Sequence, residues 1–467
     1  MRSRAIGTLQ RATRWLPGHP GRARLRELHS LHRLERLPPA RLREAQWRRL
    51  LAIAEHASAV PLHAERMRAA GWSGRVPRSA DEFARLPPLT ADELQREGTR
   101  LLVPGVRLEE LLRITTSGTT GTPRAVYWRP EDAALREAGN TFVDEWAGYR
   151  AGCRVAFLWG GPPVEGARPP QARTSRLAQW WQAATAPHQA LWLPVGDLSP
   201  AVIADHHRRL AAFRPDLIVS YPGLLAIVAR AFDGAGPPIR PRAVITSAEP
   251  LGARRALLER VFACRVFDRY GTRESGVIAG ECDRHEGLHV NIGHFWLEIV
   301  DAAGRPLPPG QPGRVTVTDL RNTALPLLRY LLDDLTMLLD EPCACGSPLP
   351  RIAPVGGRLS DVVVCPSGRT LGLLMFERPI EAEAAIEQYR LRQYTPGEVR
   401  VEVVAPTLEE ARRHALEIRL NERTGGELRV SVVVVNEIRP TPSGKYPAID
   451  SPIARAALAV PDTSPTE

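Results

Sequence analysis

The sequence predicts an α/β protein in which a large N-terminal domain, made of layered β-sheets with helices and a β-rich subdomain, precedes a small α+β C-terminal domain. Three observations support this fold class. From about residue 113 to 300, strand-like apolar runs alternate with helical segments, which is typical of a layered α/β sheet. Residues 288–340 are strand-rich, and after residue 361 strands and helices follow the βαβ order of ferredoxin-like domains.

The chain begins with a segment at residues 1–50 that we interpret as a basic helical arm. Apolar residues recur at helical spacing over residues 25–75, with breaks at Pro38 and Pro61. Residues 80–112 predict shorter helices separated by prolines.

The large domain, placed at residues 51–355, is predicted from apolar runs of strand length. The predicted strands are Leu112–Ile114, Val155–Trp159, Leu217–Ser220, Ala243–Thr246, Val266–Phe267, Phe295–Val300, Gly313–Thr318 and Leu335–Leu339. Helices are predicted at residues 200–213 and 252–262.

A tight glycine-containing segment at residues 356–361 predicts a hinge, and residues 362–467 form the predicted small domain. Its predicted strands are Val362–Cys365, 398–405 and 428–435, and its predicted helices are 376–390 and 407–424.

The formal net charge of +10 lies entirely in the first 50 residues, which hold 13 Arg against three Glu. We interpret this as a solvated arginine-rich face without nucleic acid as a partner, because Trp15 and Trp47 are its only interleaved aromatics. No apolar run approaches the roughly 18 residues of a membrane span, and no apolar block follows the basic N-terminus. We therefore expect a cytoplasmic protein without membrane insertion.

The distribution of cations singles out one residue. Of the 62 Lys and Arg residues, 61 are Arg and one is Lys445. Because an ammonium and a guanidinium differ in shape, hydration and reach, this pattern indicates a role that arginine cannot fill.

Residues 115–124, with the sequence Thr-Thr-Ser-Gly-Thr-Thr-Gly-Thr-Pro-Arg, follow a predicted strand. The two glycines allow a sharp turn, and hydroxyls and consecutive backbone N–H groups can cradle polyphosphate. This is not the Walker pattern, which ends in Gly-Lys-Ser/Thr.

Six ordered motifs resemble the adenylate-forming superfamily, which comprises acyl-CoA synthetases, peptide-synthetase adenylation domains and luciferases. They are the phosphate loop at 115–124, the adenine segment Ser247–Leu251, Tyr270–Glu274, Arg329–Asp334, the hinge pair Gly357-Arg358, and Pro440–Lys445. For ATP and AMP, the resemblance implies binding by Thr116, Ser117, Gly118, Thr119, Thr120, Gly121, Ser247, Ala248, Glu249, Tyr270, Gly271, Thr272, Asp334 and Arg358.

The reaction implied by the resemblance is attack of a small-molecule carboxylate on the α-phosphate of ATP, with loss of pyrophosphate. Both reactants are anions, so the site must neutralise charge as the transition state forms. The catalytic set that the resemblance implies is Lys445, Glu274 and Thr120, with Glu274 as the expected ligand of Mg²⁺ and Lys445 as a point cation.

Within the superfamily, local segments resemble the phenylacetate–CoA ligase group. They are Glu281–His289, His294-Phe295, Leu325–Tyr330 and Cys343–Gly346. This implies an aryl or arylacetic acid as substrate and CoA as co-substrate. Trp159, Tyr221 and Pro222 are candidates for the acid pocket, although core packing is the better explanation for each of them.

Several positions depart from the family pattern. The phosphate loop of the family usually ends in Pro-Lys, but here Arg124 takes the place of the lysine. Leu331 occupies a position where Arg is expected, and Ser360 occupies a hinge position that is usually Asp or Lys. Residues 366–377 do not resemble the loop that lines the pantetheine channel of CoA ligases. The sequence therefore supports adenylation more strongly than thioester formation.

Two alternatives stay open at this point. An adenylating enzyme could pass the acyl group to an amine, a hydroxyl or a carrier-protein thiol, and a nucleotide-binding protein could have lost catalysis. The presence of Glu274, Asp334 and Lys445 argues against the second alternative.

Cys282, His289, Cys343 and Cys345 form a second constellation, which predicts a structural Zn²⁺ site. His285 competes with His289 as the fourth ligand, and buried thiols with surface histidines are the simpler alternative. Four protein ligands would leave no open position for substrate.

Overall fold

The computed structural model describes most of the chain. The described residues are 21–72, 75–115, 124–159, 188–195, 199–234, 236–252, 254–355, 362–372, 374–439 and 448–457. They form a mixed α/β structure with several sheets. Among them, no helix combines the length and apolarity needed to cross a membrane.

From residue 21, where the described part of the chain begins, the N-terminal part is helical, as predicted. Its helices are α1 (Gly21–Glu35), α2 (Pro39–Ala57), α3 (Pro61–Ala69), α4 (Ala80–Phe83) and α5 (Ala91–Glu97), with 3₁₀ turns at Gly98–Leu101 and Leu108–Glu110. Proline occupies the first turn of α2 and α3, where its missing N–H is not needed. A reciprocal capping box between Thr90 and Glu93 starts α5.

Helix α1 packs against the body of the protein through a buried charge cluster. Glu27 of α1 is only 8% exposed and contacts Arg321, Arg49 and His294. Burial alone would raise the pKa of Glu27, but the hydrogen bond with His294 and the positive charges of Arg321 and Arg49 lower it to about 2. The predicted boundary at residues 50 and 51 falls inside α2.

A nine-stranded mixed sheet forms the centre of the large unit. Its strands are β3 (Arg154–Leu158), β4 (Gln189–Leu193), β5 (Leu217–Ser220), β6 (Ala243–Ser247), β7 (Arg265–Thr272), β8 (Gly276–Glu281), β9 (Leu288–Val290), β13 (Leu338–Leu339) and β14 (Arg351–Ile352). The order of these strands in the sheet is β13-β14-β9-β8-β7-β6-β5-β3-β4. The five strands from β7 to β4 in this order are parallel to one another, and the remaining strands, from β8 onwards, pair antiparallel. Its helices are α6 (Pro130–Trp146), α7 (Pro200–Phe213), α8 (Pro222–Phe232) and α9 (Arg254–Phe262).

Two smaller sheets complete this unit. They are the hairpin of β1 (Leu112–Thr115) with β2 (Ala125–Trp128), and the antiparallel sheet of β10 (Phe295–Val300), β11 (Gly313–Asp319) and β12 (Tyr330–Thr336). The run predicted as one strand over Leu335–Leu339 is therefore wrong. It is divided after Thr336, so that β12 stays in the three-stranded sheet while β13 pairs with β14.

The C-terminal part has its own core, drawn from residues 363–449. Its elements are β15 (Val362–Val364), β16 (Thr370–Gly372), α10 (Leu374–Glu381), β17 (Gln388–Thr395), β18 (Glu398–Val404), α11 (Glu410–Arg423), β19 (Arg429–Val434), β20 (Ile449–Asp450) and α12 (Pro452–Ala457). The predicted hinge at 356–361 lies outside the described residues.

The predicted helix over 376–390 is present only as far as Glu381, where α10 ends, and its second part is wrong because β17 begins at Gln388. The helix-favouring composition of this segment is overridden by pairing of β17 with β18 and β20. The βαβ order is present as β18–α11–β19, but β18 and β19 are direct neighbours. In the split βαβ unit of a ferredoxin-like domain, another strand separates them.

Candidate functional site

The candidate site lies where the parallel strands of the large sheet end. Tyr221 follows β5, Ser247 ends β6, and Tyr270 lies near the end of β7. Because these strands are adjacent and parallel, their carboxyl ends meet at one edge of the sheet. This is the edge at which open α/β sheets bind ligands.

Two tyrosine–carboxylate hydrogen bonds join β7 and the turn that follows it to β12 of the three-stranded sheet. Tyr270 Oη donates to Asp334 Oδ2 at 2.7 Å, and Tyr330 Oη donates to Glu274 Oε1 at 3.4 Å. Glu274 is 7% and Tyr330 is 1% exposed. Each tyrosine thus contacts the acid that follows the other tyrosine, which places the two predicted acids at the same junction between sheets.

The turn after Tyr270 is shaped by Gly271 and Thr272. A β-bulge falls between Tyr270 and Gly271. A Cβ atom at Gly271 would lie 2.3 Å from the carbonyl oxygen of Gly276, so only glycine allows this close approach. Thr272 Oγ1 accepts a hydrogen bond from the Ser275 N–H at 3.0 Å and closes the turn that carries Glu274.

The segment after β6 also follows the predicted order. Ser247 is buried, and Ala248 has a φ of 71°, in the left-handed region that non-glycine residues seldom adopt. Glu249 accepts a hydrogen bond from the Gly223 N–H at 3.0 Å, at the start of α8. Such backbone strain concentrates at functional sites.

Arg136 of α6 was not predicted from the sequence. Its Nη2 donates to the carbonyl oxygen of Arg273 at 2.9 Å, and its guanidinium lies 5.3 Å from the ring centre of Trp128. Burial lowers the pKa of Arg136, while the negative charges of Glu137, Asp319 and Glu274 act in the opposite direction. An arginine on an amphipathic helix carries no sequence signal for this position.

Trp159 and Tyr221 stack with ring centres 4.0 Å apart and planes inclined by 28°. Tyr221 is 3% exposed and Trp159 is half-buried. Both belong to or border an apolar cluster behind the strand ends, together with Leu158 and Leu193. The structure therefore gives them a packing role at the edge of the candidate site.

Several predicted site residues lie outside the described residues. They are Thr116, Ser117, Gly118, Thr119, Thr120 and Gly121 in the phosphate loop, Arg358 in the hinge, and Lys445. The strands on either side of the phosphate loop are described: Thr115 at the end of β1 pairs with Ala125 at the start of β2. This confirms that a strand precedes the loop.

The four predicted metal ligands come together at a second place. One ligand atom each of Cys282, His289, Cys343 and Cys345 lies within 4.8 Å of all the others. Cys282 Sγ is 3.7 Å from Cys343 Sγ, and Cys345 Sγ is 3.4 Å from His289 Nε2. Three thiols and one imidazole, contributed by residues 282 and 289 and by the loop at residues 343–345, thus form a compact, largely buried cluster.

The surroundings of the cluster suit a cation. His289 Nδ1 contacts the carbonyl oxygen of Leu349 at 3.3 Å, which fixes the tautomer that presents Nε2 to the sulfurs. Backbone N–H groups of Arg284 and Ser347 each donate to a sulfur at 3.4 Å. Burial raises the pKa of Cys282 to about 12, so a bound metal would have to displace the proton.

His285 is not part of this cluster. Its Nδ1 lies 3.0 Å from Glu281 Oε2 and 3.1 Å from Arg255 Nη1. Arg255 also makes two hydrogen bonds to the Glu281 carboxylate, at 2.7 and 2.8 Å. Of the two histidines that competed as fourth ligand, the structure therefore brings His289 to the cysteines.

No family model matches the chain. A phenylacetate-coenzyme A ligase of Thermus thermophilus is 26% identical over 405 residues, which cover 82% of this chain and 86% of that protein. A crystal structure of 2-hydroxyisobutyryl-CoA ligase in the postadenylation state, in complex with 2-HIB-AMP, has a TM-score of 0.72 at 20% identity and covers 91% of this chain and 93% of that one. The same ligase in the thioesterification state, with 2-HIB-AMP and CoA, gives a TM-score of 0.59 over the same shares.

Proposed function

We propose that this chain, which resembles the phenylacetate–CoA ligases and has the fold of the adenylate-forming CoA ligases, activates a carboxylic acid with ATP and transfers the acyl group to CoA. The observation that carries the proposal is the paired contact of Tyr270 with Asp334 and of Tyr330 with Glu274. It gathers two motif acids at the carboxyl edge of the sheet, where a nucleotide would bind.

In the first half-reaction, a carboxylate oxygen attacks the α-phosphorus of ATP, and the bond to the pyrophosphate leaving group breaks. Residues 116–121 would cradle the phosphates through backbone N–H groups and hydroxyls. Asp334 would accept hydrogen bonds from the ribose, while Tyr270 packs against the adenine. Lys445 would neutralise the two reacting anions.

Glu274 is suited to hold Mg²⁺, because this ion is bound in proteins through one or two carboxylates together with substrate phosphate oxygens. The ion supplies charge neutralisation at the phosphates. Arg136, which contacts the backbone beside Glu274, would hold the turn that presents this carboxylate.

In the second half-reaction, the CoA sulfur attacks the acyl carbonyl carbon and AMP leaves. The higher TM-score with the postadenylation state supports the view that the described arrangement corresponds to the first half-reaction. A rotation of residues 362–467 about residues 356–361 would then remove Lys445 and admit CoA.

Cys282, His289, Cys343 and Cys345 are proposed to hold one Zn²⁺. The donor set is three thiolates with one imidazole, which is typical of structural zinc, and the ligand atoms already lie close together. A closed site of four protein ligands would stabilise the fold and take no part in the chemistry.

A panel of carboxylic acids with ATP and Mg²⁺, with and without CoA, tests the function. The panel would contain phenylacetate, benzoate and 2-hydroxyisobutyrate. The expected products are AMP and pyrophosphate, with a CoA thioester when CoA is present. ADP and phosphate would contradict adenylation, and pyrophosphate release without any thioester would favour an amine, hydroxyl or carrier-protein acceptor.

A further inference from the structure

A charged contact joins the C-terminal part of the chain to the edge of the candidate site. Glu377 of α10 is 2% exposed, and its Oε1 lies 3.5 Å from Nη1 of Arg254 at the start of α9. Tyr389 of β17 completes the contact. Its Oη donates to Glu377 Oε1 at 3.5 Å and accepts from Arg254 Nη2 at 3.2 Å, and its ring centre lies 5.5 Å from the Arg254 guanidinium carbon.

The Glu377 carboxylate also reaches the backbone beside the adenine segment. Gly252 has a φ of 51°, and a Cβ atom at this position would lie only 2.2 Å from Glu377 Oε1. A side chain at residue 252 would be strained by the backbone conformation and would have to displace the carboxylate. Gly252 is three residues past Glu249 and two residues before Arg254, the first residue of α9, whose N-terminal end attracts negative charge.

Strand β17 connects this contact to the lysine loop, defined as residues 440–447. Immediately after Tyr389, Arg390 Nη2 donates to the carbonyl oxygen of Arg439 at 2.7 Å, and the Leu391 N–H donates to the carbonyl oxygen of Ala448 at 2.8 Å. Both ends of the loop that carries Lys445 are therefore attached to consecutive residues of β17. Whatever fixes Tyr389 against the large unit also fixes the anchors of this loop.

We propose that Glu377, Tyr389 and Arg254 form a dock that positions the lysine loop for adenylation and is released for transfer to CoA. The inference rests on the function proposed above. The three are positioning residues, since they act through the anchors of Lys445. Because the attraction in a buried ion pair is largely offset by desolvation, such a contact fixes orientation without binding too tightly to be released.

The test measures the two half-reactions separately in the full-length protein. Adenylation is followed by acid-dependent exchange of pyrophosphate into ATP, using phenylacetate or the acid that the panel identifies. Transfer is followed by thioester formation from CoA and the corresponding synthetic acyl-adenylate. The variants are Glu377→Gln, Arg254→Gln, their double variant, and Tyr389→Phe, which removes the hydroxyl but keeps the ring.

We expect Glu377→Gln and Arg254→Gln to slow adenylation by about 10-fold or more, because small misplacement of a catalytic group is costly. Their effects should be strongly non-additive in the double variant, as for residues in contact, and Tyr389→Phe should act in the same direction with a smaller effect. Transfer from the supplied acyl-adenylate should be unchanged or faster.

Glu383→Gln is the matched control, since this buried carboxylate contacts Arg412 and Arg419 within the C-terminal part. It should lower thermal stability without separating the two half-reactions. Equal losses in both half-reactions for the dock variants, or no loss in either while the wild type exchanges pyrophosphate, would overturn the dock. Absence of exchange in the wild type with every acid would instead overturn the proposed function.

Discussion

For a single residue, the proposed reaction depends on the shape and charge of its side chain, and Lys445 is the clearest example. Arginine fills every other cationic position in the chain. An ammonium is a compact point charge, whereas a guanidinium is planar and larger, so the two cannot approach a carboxylate and a phosphate in the same way. The distinction is testable by a conservative substitution.

We expect Lys445→Arg to lose adenylation almost as severely as Lys445→Ala, on the order of 10²-fold or more, as for removal of one preorganised electrostatic stabiliser. Thermal stability should stay near that of the wild type. Transfer from a supplied acyl-adenylate should suffer much less. Pyrophosphate exchange by Lys445→Arg at the wild-type rate would mean that the single lysine is an accident of composition.

At the scale of helices and strands, two buried clusters of side chains connect elements that lie far apart in the chain. The cysteine–histidine cluster connects β8 and β9 with the loop at residues 343–345, and Glu27 connects α1 with residues near 294 and 321. Because both clusters are largely buried, their loss should lower the stability of the fold more than the catalytic activity.

Protein purified without added metal should contain about one Zn²⁺ per chain, as expected for a closed four-ligand site. Removal by a chelator, or Cys343→Ser, should lower the melting temperature, while the activity per folded molecule is kept. Cys264→Ser, which changes a thiol outside the cluster, should retain the metal. Elemental analysis that finds no zinc in the wild type would refute the assignment.

Glu27→Gln should destabilise the protein by about 3 kcal/mol at pH 7, because it leaves buried positive charge without its partner. The pKa of Glu27 is lowered to about 2, so its stabilising contribution is present above pH 4.5 and lost as the pH falls from there towards 2. The pKa of His294 is lowered from 6.5 to about 4, mainly by burial. Protonation of this histidine therefore destabilises the fold as the pH falls from 6.5 towards 4.

Thermal unfolding of the wild type and Glu27→Gln at pH 7 and below pH 4.5 checks this prediction. The difference between them should shrink at the lower pH. Glu44→Gln, at an exposed acid of α2, serves as the control and should change little at either pH. A difference that stays constant with pH would show that Glu27 is held by packing and not by its charge.

For the whole molecule, the two parts of the chain meet beside the candidate site, so a ligand bound there should stabilise both. A non-reactive acyl-sulfamoyl analogue of the acyl-adenylate should raise the melting temperature, with a stabilisation of about 2.7 kcal/mol at 100 times its dissociation constant. Asp334→Asn should weaken the shift. A thermal shift equal to that with adenosine alone would argue that the acyl group is not bound.

Local signals in the sequence predicted the kind of protein and the order of its motifs. The motifs resembled the phenylacetate–CoA ligase group, and a relative 26% identical confirms that resemblance. Strands Leu217–Ser220 and Phe295–Val300 were predicted with their observed bounds, because short apolar runs flanked by turns are a local signal. Local signals also located Glu274, Asp334 and the four candidate metal ligands.

Which residues from distant parts of the chain come into contact could be seen in the folded structure alone. It brought His289 and not His285 to the cysteines, placed Arg136 behind Glu274, and turned residues 388–395 into the strand that joins the dock to the lysine loop. These outcomes depend on partners far away in the chain, whereas composition and periodicity report only on near neighbours. A helix-favouring segment becomes a strand when sheet pairing and burial outweigh its local preference.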